Sequence, residues 1–149
     1  MTPADLARRA VACKGWRWMP GMQTDSKFAR VVAVDSGTDV PCAAEQGATN
    51  DDCYAVWLDD VPVLPDLTDP ATLGCLLALV REAWRCPNVY VRQSTTRRKS
   101  DGVIAWEVCD LHLDAEACRA LGVPREGSVG FWGHGSEAEA LIAALEAAP

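Results

Sequence analysis

The stretch from Asp69 to Trp84 leaves the least choice of local structure. Leu73, Leu76, Leu77, Val80 and Trp84 recur at i, i+3, i+4, i+7 and i+11. That spacing forms one apolar stripe along a helix, whereas a strand would scatter the same residues onto both faces. Asp69 is a good N-cap, and Pro70 fits the first helical position, where a missing N–H is no loss. Cys86-Pro87-Asn88 closes the segment. A stripe of this kind must be buried, so the remaining elements have to supply a layer against it.

The other elements follow from shorter signals. Thr2 can cap a helix that carries Leu6, Ala10 and Cys13 inward, with Arg8, Arg9 and Lys14 facing away and Gly15 stopping it. Phe28–Val34 reads as a strand closed by Asp35-Ser36-Gly37, and Cys53–Leu58 as a second strand. Residues 36–52 between them are polar and predict a long loop. Val89–Thr95 and Val103–Cys109 form a hairpin across Arg97-Arg98-Lys99-Ser100-Asp101-Gly102, where Asp-Gly is a turn signal. Asp114 can cap a short helix that Gly122 ends. Ser128–Trp132 is a last strand, and Ser136 with Glu139 forms a capping box before Ala138, Leu141, Ile142 and Leu145.

Strands joined by tight turns favour antiparallel pairing. The expected class is therefore α+β, a mostly antiparallel sheet with helices packed on it. A chain of 149 residues has the length of one domain, with an acidic loop region over about 35–69 and an insertion expected over 110–127. No apolar run approaches the ~18 residues of a membrane span. Met1–Asp5 has no signal-peptide character, which places the expected site of action in the cytoplasm of a bacterial host. The seven cysteines are odd in number and contain no Cys-x-x-Cys pair, which fits small reduced hydrophobes.

Charge is unevenly placed. Residues 31–80 hold nine acids (Asp35, Asp39, Glu45, Asp51, Asp52, Asp59, Asp60, Asp66, Asp69) and no base, within a net charge of −7. Residues 1–30 are net positive and 81–149 nearly balanced. Such a field attracts basic partners and repels nucleic acid.

Three segments carry a resemblance: Gly15–Met22, Leu64–Trp84 and Gly135–Ala148. They resemble small bacteriophage and prophage proteins of the phage ABA-sandwich type. That resemblance implies a phage or prophage origin and a sheet between helices, and it supplies no catalytic residues. Residues 35–60 and 110–127 look like insertions relative to its pattern.

Several residue sets could carry chemistry. Cys109, His112 and Cys118 offer thiolate and imidazole ligands of the kind zinc takes, with His134 or Cys86 to complete a tetrahedron. Core packing accounts for the same two cysteines, so no metal or other cofactor is expected. Cys42, in the polar loop, is the thiol expected to be most exposed. Arg97, Arg98 and Lys99, with Arg92 and Trp106 beside them, could touch phosphates, yet the acidic total argues against direct nucleic-acid binding. Gly133-His134-Gly135-Ser136 opens the last helix and is read as a cap. The six tryptophans are candidates for core or contact surface.

The functional expectation is a non-enzymatic phage accessory protein. It would bind a host protein with a basic surface through Asp51, Asp52, Asp59, Asp60 and Asp66, with Arg97, Arg98 and Lys99 as a second contact. An anti-defence inhibitor of the anti-CRISPR kind would fit. A metal-binding module or small enzyme around Cys109, His112 and Cys118, or a phage assembly subunit, are the alternatives. Oligomeric state stays open.

Overall fold

The computed structural model describes residues 1–25, 28–45, 55–57, 63–97, 102, 104–111 and 129–149. Along the chain run α1 (Pro3–Ala12), β1 (Phe28–Val34), β2 (Pro41–Glu45), β3 (Ala55–Trp57), α2 (Pro70–Ala83), β4 (Tyr90–Arg97), β5 (Ile104–Leu111), β6 (Val129–His134) and α3 (Glu137–Glu146). The class is α+β, and every described strand pair is antiparallel. Among the described residues there are two three-stranded sheets, ordered β1-β2-β3 and β4-β5-β6. Contacts gather into two compact units, Met1–Ala12 with Trp16–Cys75, and Cys13–Gly15 with Leu76–Pro149. Each unit holds one of the sheets.

In the first unit, Thr2 caps α1 as its sequence predicts. The Asp5 N–H donates to Thr2 Oγ1 at 3.1 Å, and Asp5 Oδ2 accepts from the Thr2 N–H at 3.2 Å, so two end donors are satisfied reciprocally. Leu6, Ala7 and Ala10 are the buried face of this helix. β1 matches its predicted bounds. The long loop does not hold, because β2 lies inside it and pairs with both β1 and β3. Its residues Cys42, Ala43 and Ala44 are too small and mixed to produce an alternating signal, and pairing on both edges supplies what the sequence pattern lacks. The β1–β2 loop is fixed by Asp35, whose Oδ1 accepts from the N–H groups of Gly37 and Thr38 at 2.7 and 3.0 Å. Asp39 closes it in the left-handed region, at φ 56°.

In the second unit, β4 and β5 form the predicted hairpin, with Tyr90 opposite Cys109 and Arg92 opposite Glu107. Gly102, in the connection, has φ 70°, the conformation that an Asp-Gly turn requires of its glycine. α3 packs on β4, β5 and β6, burying Leu141, Ile142 and Leu145. Trp84 is buried, and its indole N–H donates to the Ala144 carbonyl at 2.8 Å, which removes the cost of burying that donor. Gly15 lies close by: a Cβ there would stand 3.1 Å from Leu145 Cδ1.

The stripe on α2 is rotated from the expected one. Leu76, Leu79 and Val80 are fully buried, while Leu73 and Leu77 are half-buried. The helix ends in a Schellman motif: the Cys86 N–H donates to the Arg81 carbonyl at 2.9 Å and the Arg85 N–H to the Glu82 carbonyl at 3.0 Å. Arg85 occupies the left-handed position there, at φ 51°.

Candidate functional site

Two arginine–carboxylate pairs are the polar features that the fold builds most elaborately. In the first unit Arg30, on β1, donates through Nη1 to the Gly21 carbonyl at 2.6 Å and through Nη2 to Asp69 Oδ1 at 3.2 Å. Asp69 Oδ2 accepts from the Thr72 N–H at 2.8 Å and from the Thr72 hydroxyl at 3.0 Å. The Thr72 oxygen in turn accepts from the Gln23 N–H at 2.8 Å. The predicted N-cap thus also ties β1 and residues 21–23 to the start of α2. Burial raises the Asp69 carboxyl, but the Thr72 donors and the Arg30 charge outweigh it and hold the group below its ordinary value. Both oxygens are used, and the role is structural. Cys75 sits beside this network, where burial and then the Asp69 charge push its thiol upward and keep it protonated.

The second pair lies on the β4–β5 hairpin. Cross-strand pairing puts Tyr90, Arg92, Glu107 and Cys109 on one sheet face. Arg92 Nε donates to Glu107 Oε1 at 2.5 Å. The Arg92 side chain is 52% exposed and that of Glu107 is 2% exposed. The other carboxylate oxygen, Glu107 Oε2, is buried without a hydrogen-bond partner. A buried acceptor left in that state costs about 1–3 kcal/mol, so native folds rarely keep one without a reason. The hydrogen bond to Glu107 raises the Arg92 guanidinium further above its already high ordinary value.

Sequence reasoning missed Glu107. Ala105, Glu107 and Cys109 alternate onto one face of β5, and all three are buried. Ile104, Trp106 and Val108 are the more apolar alternate set of the same strand, so the period of two alone reads Glu107 as facing solvent.

The acids of the 31–80 block divide by use. Asp35 holds the β1–β2 loop, and Asp69 caps α2. Asp66 holds a turn, its Oδ1 accepting from the Thr68 N–H at 2.9 Å and the Thr68 hydroxyl at 2.6 Å. Asp39 is exposed on the hairpin. Asp51, Asp52, Asp59 and Asp60 lie outside the described residues, as do Arg98, Lys99, His112 and Cys118. Arg97 is the last residue of β4.

Cys42 is buried in β2 at 5% exposure, which corrects the expectation of an exposed thiol. Strand formation, not loop position, decides it. Cys109 is likewise buried on β5. Among the described residues no three His, Cys, Asp or Glu side chains are grouped as a metal would need. The start of α3 is a cap as read: the Glu139 N–H donates to Ser136 Oγ at 3.2 Å, and Glu139 Oε2 accepts from the Gly135 N–H at 2.7 Å. Trp16 and Trp18 are half-buried and meet edge to face, with ring centres 5.8 Å apart.

Comparison of the chain with protein families, with curated proteins and with solved structures finds no match. Among the described residues no helix is long and apolar enough to cross a membrane.

Proposed function

We propose that this chain is a non-enzymatic accessory protein of phage or prophage origin that binds and inhibits a host protein in the bacterial cytoplasm. The observation that supports this reading is the charge pattern, nine acids without one base over residues 31–80. A surface of that sign complements a basic groove built for nucleic acid, and it competes there with the phosphate backbone. Nucleic-acid-handling defence enzymes, such as CRISPR effectors, are the target class that chemistry selects. Asp51, Asp52, Asp59 and Asp60 are the proposed contacts. Asp66 adds charge at the edge of the same block while holding its own turn. Arg97, Arg98 and Lys99 are a proposed second contact.

The test is charge reversal. Changing Asp51, Asp52, Asp59 and Asp60 to Lys takes the net charge from −7 to +1. The expected outcome is slower association with a defence nuclease that the wild type inhibits, together with wild-type binding that weakens as salt rises. A folded variant that inhibits the same nuclease equally well would show that the acidic block is only a solvated surface.

A further inference from the structure

The orphaned oxygen of Glu107 lies beside an arginine that, among the described residues, has spent one N–H. Glu107 is its hydrogen-bond partner there, through Nε, and this bond orients the planar group from a buried anchor. The outer nitrogens Nη1 and Nη2 carry four N–H groups in the fork geometry that matches oxyanions bidentately. Glu107 Oε2 asks for the opposite, a hydrogen-bond donor, in a place closed to bulk water. The pair is already neutral in sum, so a cation is not required there. What satisfies both defects at once is one small group that offers lone-pair oxygens and an O–H side by side.

We infer that the Arg92–Glu107 pair is a binding site for a monoprotonated phosphate group. Its P–O⁻ oxygens take the outer guanidinium N–H groups, and its P–OH donates to Glu107 Oε2. Arg92 is half exposed and Tyr90 beside it is 37% exposed, so the open side of the site is the arginine side. Entry moves side chains around Glu107 Oε2 while the Arg92 Nε–Glu107 bond stays in place, a common kind of adjustment on binding. Cys109, on the same face, is apolar in effect and keeps the surroundings of Glu107 dry. Fully ionised oxyanions are rejected, because an oxygen without a proton would face the carboxylate with lone pair against lone pair.

Sulfate separates this site from general anion attraction. It has the size and shape of phosphate but carries no proton near pH 6, where inorganic phosphate always keeps at least one and a phosphate monoester is about half monoprotonated. The experiment titrates the full-length protein with inorganic phosphate or with sulfate at matched ionic strength, following the Arg92 Nε–H resonance by NMR. Phosphate is expected to bind at least about tenfold more tightly, the value of one hydrogen bond to a charged acceptor. In Glu107→Gln the preference collapses toward one, because the carboxamide N–H donates to either ion. In Arg92→Lys, followed through the backbone amide resonances of β4 and β5, both ions bind more weakly, since the fork is lost. Equal affinities in the wild type, or no movement of the Arg92 resonance with phosphate, would overturn the inference without recourse to any variant. A parallel titration with glycerol phosphate distinguishes a phosphate ester from the free ion. Preference over sulfate by either one supports the site. The inference stands apart from the acidic-block reading, because it involves no residue of 31–80.

Discussion

Asp69 and Glu107 are both carboxylates paired with an arginine, and they end in opposite states. Asp69 places both oxygens into structure: Oδ1 accepts from Arg30, and Oδ2 from the N–H and hydroxyl of Thr72. Glu107 is the more deeply buried of the two and uses only one oxygen. The first carboxylate lies at a helix terminus, where end N–H groups are in surplus. The second lies in mid-strand, where the backbone groups already pair with each other and leave no donor to spare. Position in the secondary structure therefore decides whether a buried carboxylate is satisfied. The exception is what marks Glu107 as a site and Asp69 as scaffold.

The scale for testing that contrast comes from the core. Leu76→Ala, at a fully buried position, is expected to destabilise by about 2–5 kcal/mol through an unfilled cavity. Leu77→Ala, half-buried one position further on, is expected to cost about half as much or less. Urea unfolding of both variants measures this, and equal losses would return the core to the stripe that periodicity alone suggests.

Glu107→Leu comes next and should move in the other direction. Removing the orphaned oxygen abolishes an unmet desolvation cost and leaves Arg92 half exposed to water, so a gain of about 1–3 kcal/mol is expected. The matching change in the first unit, Asp69→Ala, is expected to lose about 0.5–2 kcal/mol as the cap of α2 disappears. Opposite signs at the two carboxylates would sharpen the comparison. A loss at both would mean that Glu107 is as structural as Asp69. Acid provides a further check on Asp69. Its folded value is depressed, so its contribution is complete above the ordinary aspartate value of 3.8 and is lost as pH falls through the folded one. The pH at which wild type and Asp69→Ala converge in stability measures it, and convergence well above that value would contradict the assignment.

Much of this was legible in the residues, for physical reasons that differ by element. Caps carried the clearest information: Thr2, Asp69 and Ser136 each hold the bond their type predicts, because a cap is local and needs no partner from afar. β1 was equally plain, being rich in β-branched residues. β2 was not, because Pro41-Cys42-Ala43-Ala44-Glu45 acquires its strand state from neighbours on both sides. The burial of Cys42 was lost with it. Of the candidate site, Arg92 was noticed only as company for a basic turn. Glu107 becomes visible only when Arg92 is found opposite it in the hairpin register.

The smallest expected effect compares the two ends of α2, where the contrast between a satisfied and a costly arrangement appears again. The N-terminus has an optimal cap in Asp69. The C-terminus closes a Schellman motif, yet places Arg85 at φ 51°, in the left-handed region where a Cβ is unfavourable and glycine is the usual occupant. Nothing about the two hydrogen bonds of that motif needs the side chain, since the backbone of residues 81–86 makes both. Arg85→Gly should therefore relieve strain in the folded state. Glycine also widens the unfolded ensemble, which offsets part of the gain. The net expectation is a stabilisation of about 0.5–1 kcal/mol, read as a higher denaturation midpoint with an unchanged slope. A loss of stability would show that the exposed Arg85 side chain contributes more than its backbone conformation costs, and that this end of α2 is held by a contact in place of the turn.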